Sequence, residues 1–259
     1  MRHPGRVTSL IPTGERTAPG LPDEEYWFAR HQAAYAWIVD TVAPTLGPAG
    51  IVVDAGAGEG YGAQMLCSNG QRVVGLEYDA AACAHMRRAY PHVSVIAANL
   101  SAMPLATRSA DMVVSLQVIE HLWGVPAFLA DCRRILRPGA PLVVTTPNRL
   151  TFSPGLARGQ KPLNPFHVEE FDEQQVHSML ARAGFADIVI HGLHHGPRVA
   201  DWEARHGSIV AAQVAAGLSG DWPAGLREIV RSVTPEDFVV GTGALDHAQD
   251  LVAIARVGR

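Results

Sequence analysis

The sequence predicts an α/β fold built on an open, mostly parallel sheet, and three observations predict it. Val52-Val53-Asp54 runs through Ala55 into alternating glycines, Gly56-Ala57-Gly58-Glu59-Gly60-Tyr61-Gly62, which reads as a buried strand, a tight turn and the start of a helix. Further short apolar runs rich in valine and isoleucine follow, separated by helical segments. With 259 residues, 47% of them hydrophobic and 18% charged, the chain buries a full core as one large domain. A glycine turn of this kind stands at the carboxyl end of a parallel strand, where open sheets bind ligands. Its glycines clear side chains from the ligand's path, and the helix behind them offers unpaired N–H groups.

The totals exclude several partner classes. A formal net charge of -4 supplies no basic field for a polyanion, so nucleic acid is not an expected partner. Cys67, Cys83 and Cys132 are scattered and form no C-x-x-C pair, which argues against a disulfide framework or a thiolate zinc site and leads us to expect reduced thiols in a cytoplasm. No apolar run approaches the ~20 residues of a membrane span. Met1 to Gly20 is rich in Pro, Gly and Thr and lacks the apolar centre of a secretory signal. Residues 1–22 are therefore expected as a flexible arm and 23–259 as a single domain.

The elements follow in order. Asp23 to Val42 reads as a helix, with acids in its first turn and Trp27, Ala34, Ile38 and Val42 at helical spacing. Arg30 and His31 lie within a turn of Tyr26 and Trp27, either as a solvated face or as part of a lid. After the glycine loop and its helix, Arg72 to Glu77 is the second strand. Glu77 ends that strand about twenty residues past the glycines, where a carboxylate accepts ribose hydroxyls. Ala80 to Tyr90 is helical, Val93 to Ala97 a third strand, and Asn99 a turn residue by type. Met112 to Leu116 is the fourth strand, Val125 to Leu136 a helix and Ala140 to Thr145 the fifth strand. Residues 149–170 are irregular and too long for a plain connection, so they are expected as a lid. A helix over Phe171 to Ala183 and a sixth strand over Ala186 to His191 come next. Residues 192–238 depart from the pattern as an acceptor-side insertion with two helices, and Asp250 to Arg256 is the seventh strand.

The glycine spacing separates two ligand classes. A dinucleotide loop needs G-x-G-x-x-G, but counting from Gly56 and Gly58 places Tyr61 at the third position. The run Asp54 to Gly62 instead resembles the first motif of the class I S-adenosylmethionine-dependent methyltransferases. Arg137-Pro138-Gly139-Ala140-Pro141-Leu142-Val143-Val144 also resembles the family's segment before and within its fifth strand. The resemblance implies a Rossmann-like, seven-stranded and mostly parallel sheet, its last strand inserted antiparallel between its neighbours, with an N-terminal helical lid and a C-terminal helical insertion. It further implies S-adenosylmethionine contacts at Arg30, Asp54, Gly56, Ala57, Gly58, Tyr61, Glu77, Tyr78, Asn99, Leu100 and Gln117, with Asn99 reading the adenine amine and Leu100 and Met103 sandwiching the ring.

Residues past the fourth strand flank the crevice, and here they are Gln117-Val118-Ile119-Glu120-His121-Leu122-Trp123. Transfer of a methyl group to a hydroxyl needs a base or a metal for the proton. An imidazole titrates near neutrality, so His121, or His167 from the lid, is the expected proton acceptor, with Glu120 orienting it or binding a cation. The Glu120-His121 pair with a lid histidine resembles the site of quinone-type O-methyltransferases that need a divalent ion. That resemblance implies Glu120, His121 and His167 as ligands, with magnesium favoured over zinc. Gln117 stands where an acid is common in those relatives, and its amide oxygen is the weaker ligand. The alternative is that Glu120 and His121 only cap a helix.

His191, His194 and His195 lack partner cysteines, so no structural zinc is expected there, and His195 is a second candidate for the acceptor site. Trp27, Trp202, Trp222 and Tyr26 suit a pocket that stacks on sugar faces or on an aromatic acceptor. Gly14-Glu15-Arg16-Thr17, Ile119 to Trp123, Thr151 to Gly155, Asn164 to His167 and His195 to Arg198 together resemble actinobacterial methyltransferases associated with methylated mannose and glucose polysaccharides. That implies an oligosaccharide hydroxyl as acceptor, its anomeric 1-OH included. A phenolic, quinone or polyketide hydroxyl and a non-catalytic adenosyl-binding protein remain the rival readings. Assembly is open between a monomer and a homodimer.

Overall fold

The structure is a computed structural model and describes residues 17–47 and 49–258. Eight strands form one sheet in the order β3-β2-β1-β4-β5-β8-β6-β7. They are β1 (Ile51–Ala55), β2 (Arg72–Glu77), β3 (Ser94–Ala97), β4 (Met112–Leu116), β5 (Pro141–Pro147), β6 (Phe185–His195), β7 (Phe238–Gly241) and β8 (Asp250–Val257). The first five pair in parallel, and β8 runs antiparallel between β5 and β6, as the family resemblance implies.

The strands that read as continuous apolar runs are covered on both faces. Val52, Val114 and Val143 point to one layer of the core while Val53, Val113, Leu142 and Val144 point to the other, the period-2 alternation of a strand. The first layer is closed by α1 (Glu25–Thr41), α2 (Tyr61–Leu66), α8 (Ile209–Ser219) and α9 (Ala224–Ser232). The second is closed by α4 (Val125–Ile135) and α6 (Glu173–Arg182), with Phe128, Ile135, Val176 and Leu180 buried. The remaining helices are α3 (Ala80–Ala89), α5 (Arg149–Phe152) and α7 (Pro197–His206).

Four expectations are corrected. The sheet has eight strands, because Phe238–Gly241 pairs antiparallel with Gly192–His195; four residues are too few to show a period. That pairing lengthens the sixth strand through His195, so the insertion expected from residue 192 begins only at α7 and holds three helices. Residues 149–170 open with a helical turn, capped by the Asn148 side chain accepting from the Leu150 N–H at 3.2 Å. Within the expected arm, Thr17 and Ala18 are buried; the rest of it, residues 1–16, lies outside the described residues.

Among the described residues no helix is long and apolar enough to cross a membrane, and Cys67, Cys83 and Cys132 are free thiols. The α1 and α2 helices meet at Gly62, where a Cβ would run into the Tyr35 ring. Tyr35 in turn donates to both oxygens of Asp54 at 3.2 Å. Gly62→Ala is expected to lower the unfolding free energy by about 1–3 kcal/mol, outweighing the ~1 kcal/mol alanine gains over glycine in a helix. Urea titration of the two proteins checks it.

Candidate functional site

A cleft of about 670 Å³ opens at the carboxyl ends of β1, β2 and β4. Its floor is the glycine loop. The Gly56 and Ala57 N–H groups both donate to the Leu76 carbonyl at 2.9 Å, and Gly58 N–H donates to the Glu77 carboxylate at 2.9 Å. Gly56 has φ 89°, and a Cβ there would lie 2.5 Å from a Val118 methyl, so both the backbone and the packing require glycine. Glu59 anchors the loop to α3, its buried carboxylate accepting from His85 at 2.5 Å and from the Tyr90 hydroxyl at 2.8 Å.

Nine of the expected cofactor contacts line this cleft: Gly56, Ala57, Gly58, Tyr61, Glu77, Tyr78, Asn99, Leu100 and Gln117. Glu77 also accepts from the Asp79 N–H at 2.9 Å, while Asp79 caps α3. Asn99 makes a turn bond to the Ser101 N–H at 2.9 Å. His31, half-buried on α1, meets the Tyr61 hydroxyl at 3.1 Å, and burial together with Arg30 lowers its pKa to about 3, so it stays neutral.

Two expected contacts are corrected. Asp54 lies under the loop, fully buried beneath Tyr35 rather than in the cleft. Burial lifts its carboxyl to about 7, the Tyr35 bond pulling the value down and Glu77 pushing it up. Arg30 is also buried and lies behind Gln117 rather than in the cleft lining itself. Its guanidinium donates twice to Asp250, both at 2.6 Å, and once to the Gln117 amide oxygen at 3.0 Å. The Gln117 amide oxygen is thus held by Arg30, and its amide nitrogen donates to Thr145 Oγ1 at 3.1 Å.

Past β4 a single 3-10 turn, Ile119–His121, carries the charged pair. Ligand atoms of Glu120, His121 and His167 lie within 4.8 Å of one another, the one such group among the described residues. His121 Nδ1 meets the Phe166 carbonyl at 3.2 Å, which makes Nδ1 the donor and leaves Nε2 the lone pair. His167 Nδ1 donates to Glu170 at 2.7 Å, and its Nε2 faces the Asn164 amide at 3.0 Å. Glu120 Oε2 accepts from Thr146 at 3.2 Å, whereas the buried Oε1 has no hydrogen-bond partner among the described residues. Burial raises the Glu120 pKa to about 8 against the pull of a backbone bond, His167 and Thr146.

The aromatic residues expected at an acceptor pocket lie elsewhere. Tyr26 is fully buried, its hydroxyl 2.6 Å from His195 Nε2, and His195 Nδ1 donates to Glu203 at 2.8 Å, so His195 is a packing residue. Trp27 packs on Tyr26 and Phe152. Trp202 stacks on His206 in a separate cavity among α7, α8 and α9, and Trp222 lies under Arg227. The aromatic side chains at the cleft mouth are instead Tyr78 and Trp123, 81% and 91% exposed. Glu170 and Asp250 were missed. Glu170 carried a signal, three residues after His167; Asp250 carried none, being 220 residues from Arg30.

A cleft at the point where the strand order reverses, floored by a glycine loop and walled by a strand-end acid, defines a nucleoside-binding α/β domain. A family model described as a methyltransferase domain matches residues 53–144. The chain is 46% identical over 252 residues to a probable S-adenosylmethionine-dependent methyltransferase of Mycobacterium tuberculosis, covering 95% of this chain and 89% of the relative. A probable methyltransferase of the same kind from Mycolicibacterium smegmatis is 44% identical over 255 residues, 96% of each chain. Over 102 residues, 38% of this chain and 40% of the relative, it is 31% identical to a ubiquinone biosynthesis O-methyltransferase of a Bradyrhizobium species. Among solved structures, a Thermotoga maritima methyltransferase described as a possible histamine N-methyltransferase superposes with a TM-score of 0.61 at 18% identity, over 90% of this chain and 94% of that one, a likeness of fold. The chain belongs to the class I S-adenosylmethionine-dependent methyltransferases. It is an enzyme, and S-adenosylmethionine is its methyl donor.

Glu77→Ala is expected to weaken S-adenosylmethionine binding at least a hundredfold by calorimetry; unchanged affinity would remove Glu77 from the site. Asp54 gives a pH prediction. Its folded pKa of about 7 exceeds the ordinary 3.8, so its contribution to stability is full below about pH 4 and is lost as the pH rises through 7. The stability of Asp54→Asn relative to the parent is therefore expected to climb between pH 4 and 7, read by urea unfolding across that range.

Proposed function

We propose that this enzyme is an O-methyltransferase acting on a hydroxyl of an oligosaccharide. The observation that carries the O-methylation is the Glu120, His121 and His167 cluster beside the cleft at the end of β4. S-adenosylmethionine bound in the cleft supplies its sulfonium methyl for in-line displacement by the acceptor oxygen. Holding that oxygen in line accounts for roughly 7–11 kcal/mol of the barrier in favourable cases.

The hydroxyl proton is handled in one of two ways. In the first, His121 takes it: His121 lines the cleft, and its Nδ1 bond to Phe166 leaves Nε2 as the acceptor. Glu170 fixes the His167 ring behind it. In the second, the three residues hold a divalent cation. Their chemistry fits one, because Glu120 Oε1 is buried without a partner and two imidazoles stand within reach. Such an ion supplies Lewis acidity at the acceptor oxygen. Magnesium is the ion expected from the family resemblance, and the imidazole nitrogens admit manganese as well.

The oligosaccharide reading is supported by the resemblance of the Ile119 to Trp123 and Asn164 to His167 segments to sugar methyltransferases, and by the exposed Trp123 ring at the cleft mouth. A flat, solvent-facing aromatic ring suits stacking on a sugar face. A second reading, methylation of a phenolic hydroxyl, is favoured by the likeness to the ubiquinone biosynthesis O-methyltransferase over 102 residues.

Methyl-labelled S-adenosylmethionine offered with mannose and glucose oligomers, and separately with catechols, tests both. Label in the oligomers is the expected result, and label only in the catechols replaces the first reading with the second. Exhaustive chelation is expected to cut turnover at least tenfold, with recovery on adding magnesium or manganese. Full activity after chelation assigns the proton to His121 alone.

A further inference from the structure

We infer that Arg30 is a positioning residue for methyl transfer: through Gln117 it holds the turn after β4 in the shape that closes one side of the cofactor cleft. The inference rests on the S-adenosylmethionine-dependent activity and not on the identity of the acceptor.

Gln117 is the first residue past β4, and its φ is 54°, the left-handed region that a non-glycine residue enters only when its surroundings impose it. Three bonds impose it. The Gln117 N–H donates to the Thr145 carbonyl at 3.1 Å, its side-chain nitrogen donates to Thr145 Oγ1 at 3.1 Å, and its side-chain oxygen accepts from Arg30 at 3.0 Å. Two of these come from the neighbouring β5, and only the third reaches in from another layer of the molecule.

The conformation has consequences on both sides. Forward along the chain, Val118 is set down on Gly56, filling the space a Cβ would take. This closes the glycine loop from the β4 side. The chain then enters the turn that presents Glu120 and His121. Backward, Arg30 is 3% exposed and doubly bonded to Asp250 on β8, 1% exposed, so the donor that reaches Gln117 is itself fixed. The Phe152 ring at the start of the 149–170 segment lies 4.8 Å from the guanidinium. One side chain thus ties α1, β8, the post-β4 turn and the first helical turn of the acceptor-side segment together.

An ion pair that merely stabilised the fold would not need the Gln117 bond. Gln117→Leu leaves Arg30 and Asp250 paired but removes the Arg30 and Thr145 side-chain bonds together, so Thr145→Val, which removes the Thr145 bond alone, is its control and is expected to leave the affinity within twofold of the parent. Arg30→Lys retains the charge but loses the fork that serves Asp250 and Gln117 together. The readouts are calorimetric affinity for S-adenosylhomocysteine and backbone hydrogen exchange of the full chain without ligand.

For Gln117→Leu, a dissociation constant raised at least tenfold and faster exchange over residues 117–122 are expected. For Arg30→Lys the same changes are expected, with faster exchange over 149–156 as well. If Arg30→Lys does not fold, Gln117→Leu set against Thr145→Val decides, and equal loss of affinity in the two overturns the inference. Affinity within twofold of the parent for Gln117→Leu overturns the inference. So does weakened affinity with parental exchange over 117–122, because that pattern marks a direct contact to the ligand.

Discussion

The cleft depends on the way β1 leaves the sheet. One carbonyl, that of Leu76, accepts both the Gly56 and the Ala57 N–H, so the chain turns back over β2 instead of running on. Three separate elements then brace the loop. Glu77 holds the Gly58 N–H from β2, Val118 fills the space beside Gly56 from the β4 side, and His85 with Tyr90 holds Glu59 from α3. Bracing of this kind is preorganisation: the ordering cost of the site is met in folding and does not fall on ligand binding. It also explains why the glycines cannot be read singly. Gly56 is required by a residue 62 positions later, and that residue is placed by a turn whose own geometry is imposed by Arg30 and Thr145.

How much of this was legible follows from which forces are local. The strands over 51–55, 112–116 and 141–147 are buried along nearly their whole length, so their apolar runs announce them, and the acid that ends 72–77 lines the cleft. The site residues on those strand ends inherit that legibility. Asp54 was misplaced because a strand-end acid beside glycines looks like a ligand contact, and nothing in sequence reveals that Tyr35 covers it. Arg30 was misplaced for the complementary reason, its partner Asp250 being decided by β8 inserting between β5 and β6. Tyr26, Trp27, Trp202 and Trp222 suit a stacking pocket by type, but large rings are as readily core residues, and all four pack in or against the core. Glu170, the partner of His167, is within reach of a reading that asks what fixes the His167 tautomer.

Two buried acids flank the cleft, and their environments give them different tasks. Asp54 has its hydrogen-bond capacity engaged by Tyr35, so although burial holds its pKa near 7 it serves as a fixed strut between β1 and α1. Glu120 is raised to about 8, also by burial, yet one of its oxygens is left without any partner. A buried carboxylate with an unmatched oxygen is destabilising unless something else supplies positive charge or a proton. Both oxygens of the first acid face the Tyr35 hydroxyl, whereas one oxygen of the second is unmatched among the described residues, and a proton or a ligand would satisfy it.

The irregular segment 149–170 bears on the same distinction, because irregular backbone is not the same as unanchored backbone. Its ends are tied at Asp172, which caps α6 and accepts from both Arg149 and Arg158; those bonds prevail over burial and hold its carboxyl below the usual range. Its last residues are tied at Glu120, whose backbone carbonyl accepts from Val168 at 2.7 Å and Glu169 at 3.3 Å. The residues that bring His167 to His121 are thus bonded to the backbone of the very turn that carries Glu120 and His121. Segment and turn form one unit, so any movement that opened the segment would separate His167 from Glu120 at the same time. The cluster is therefore assembled within the fold itself, and Trp123, 91% exposed, stands on the solvent side of the cleft it lines.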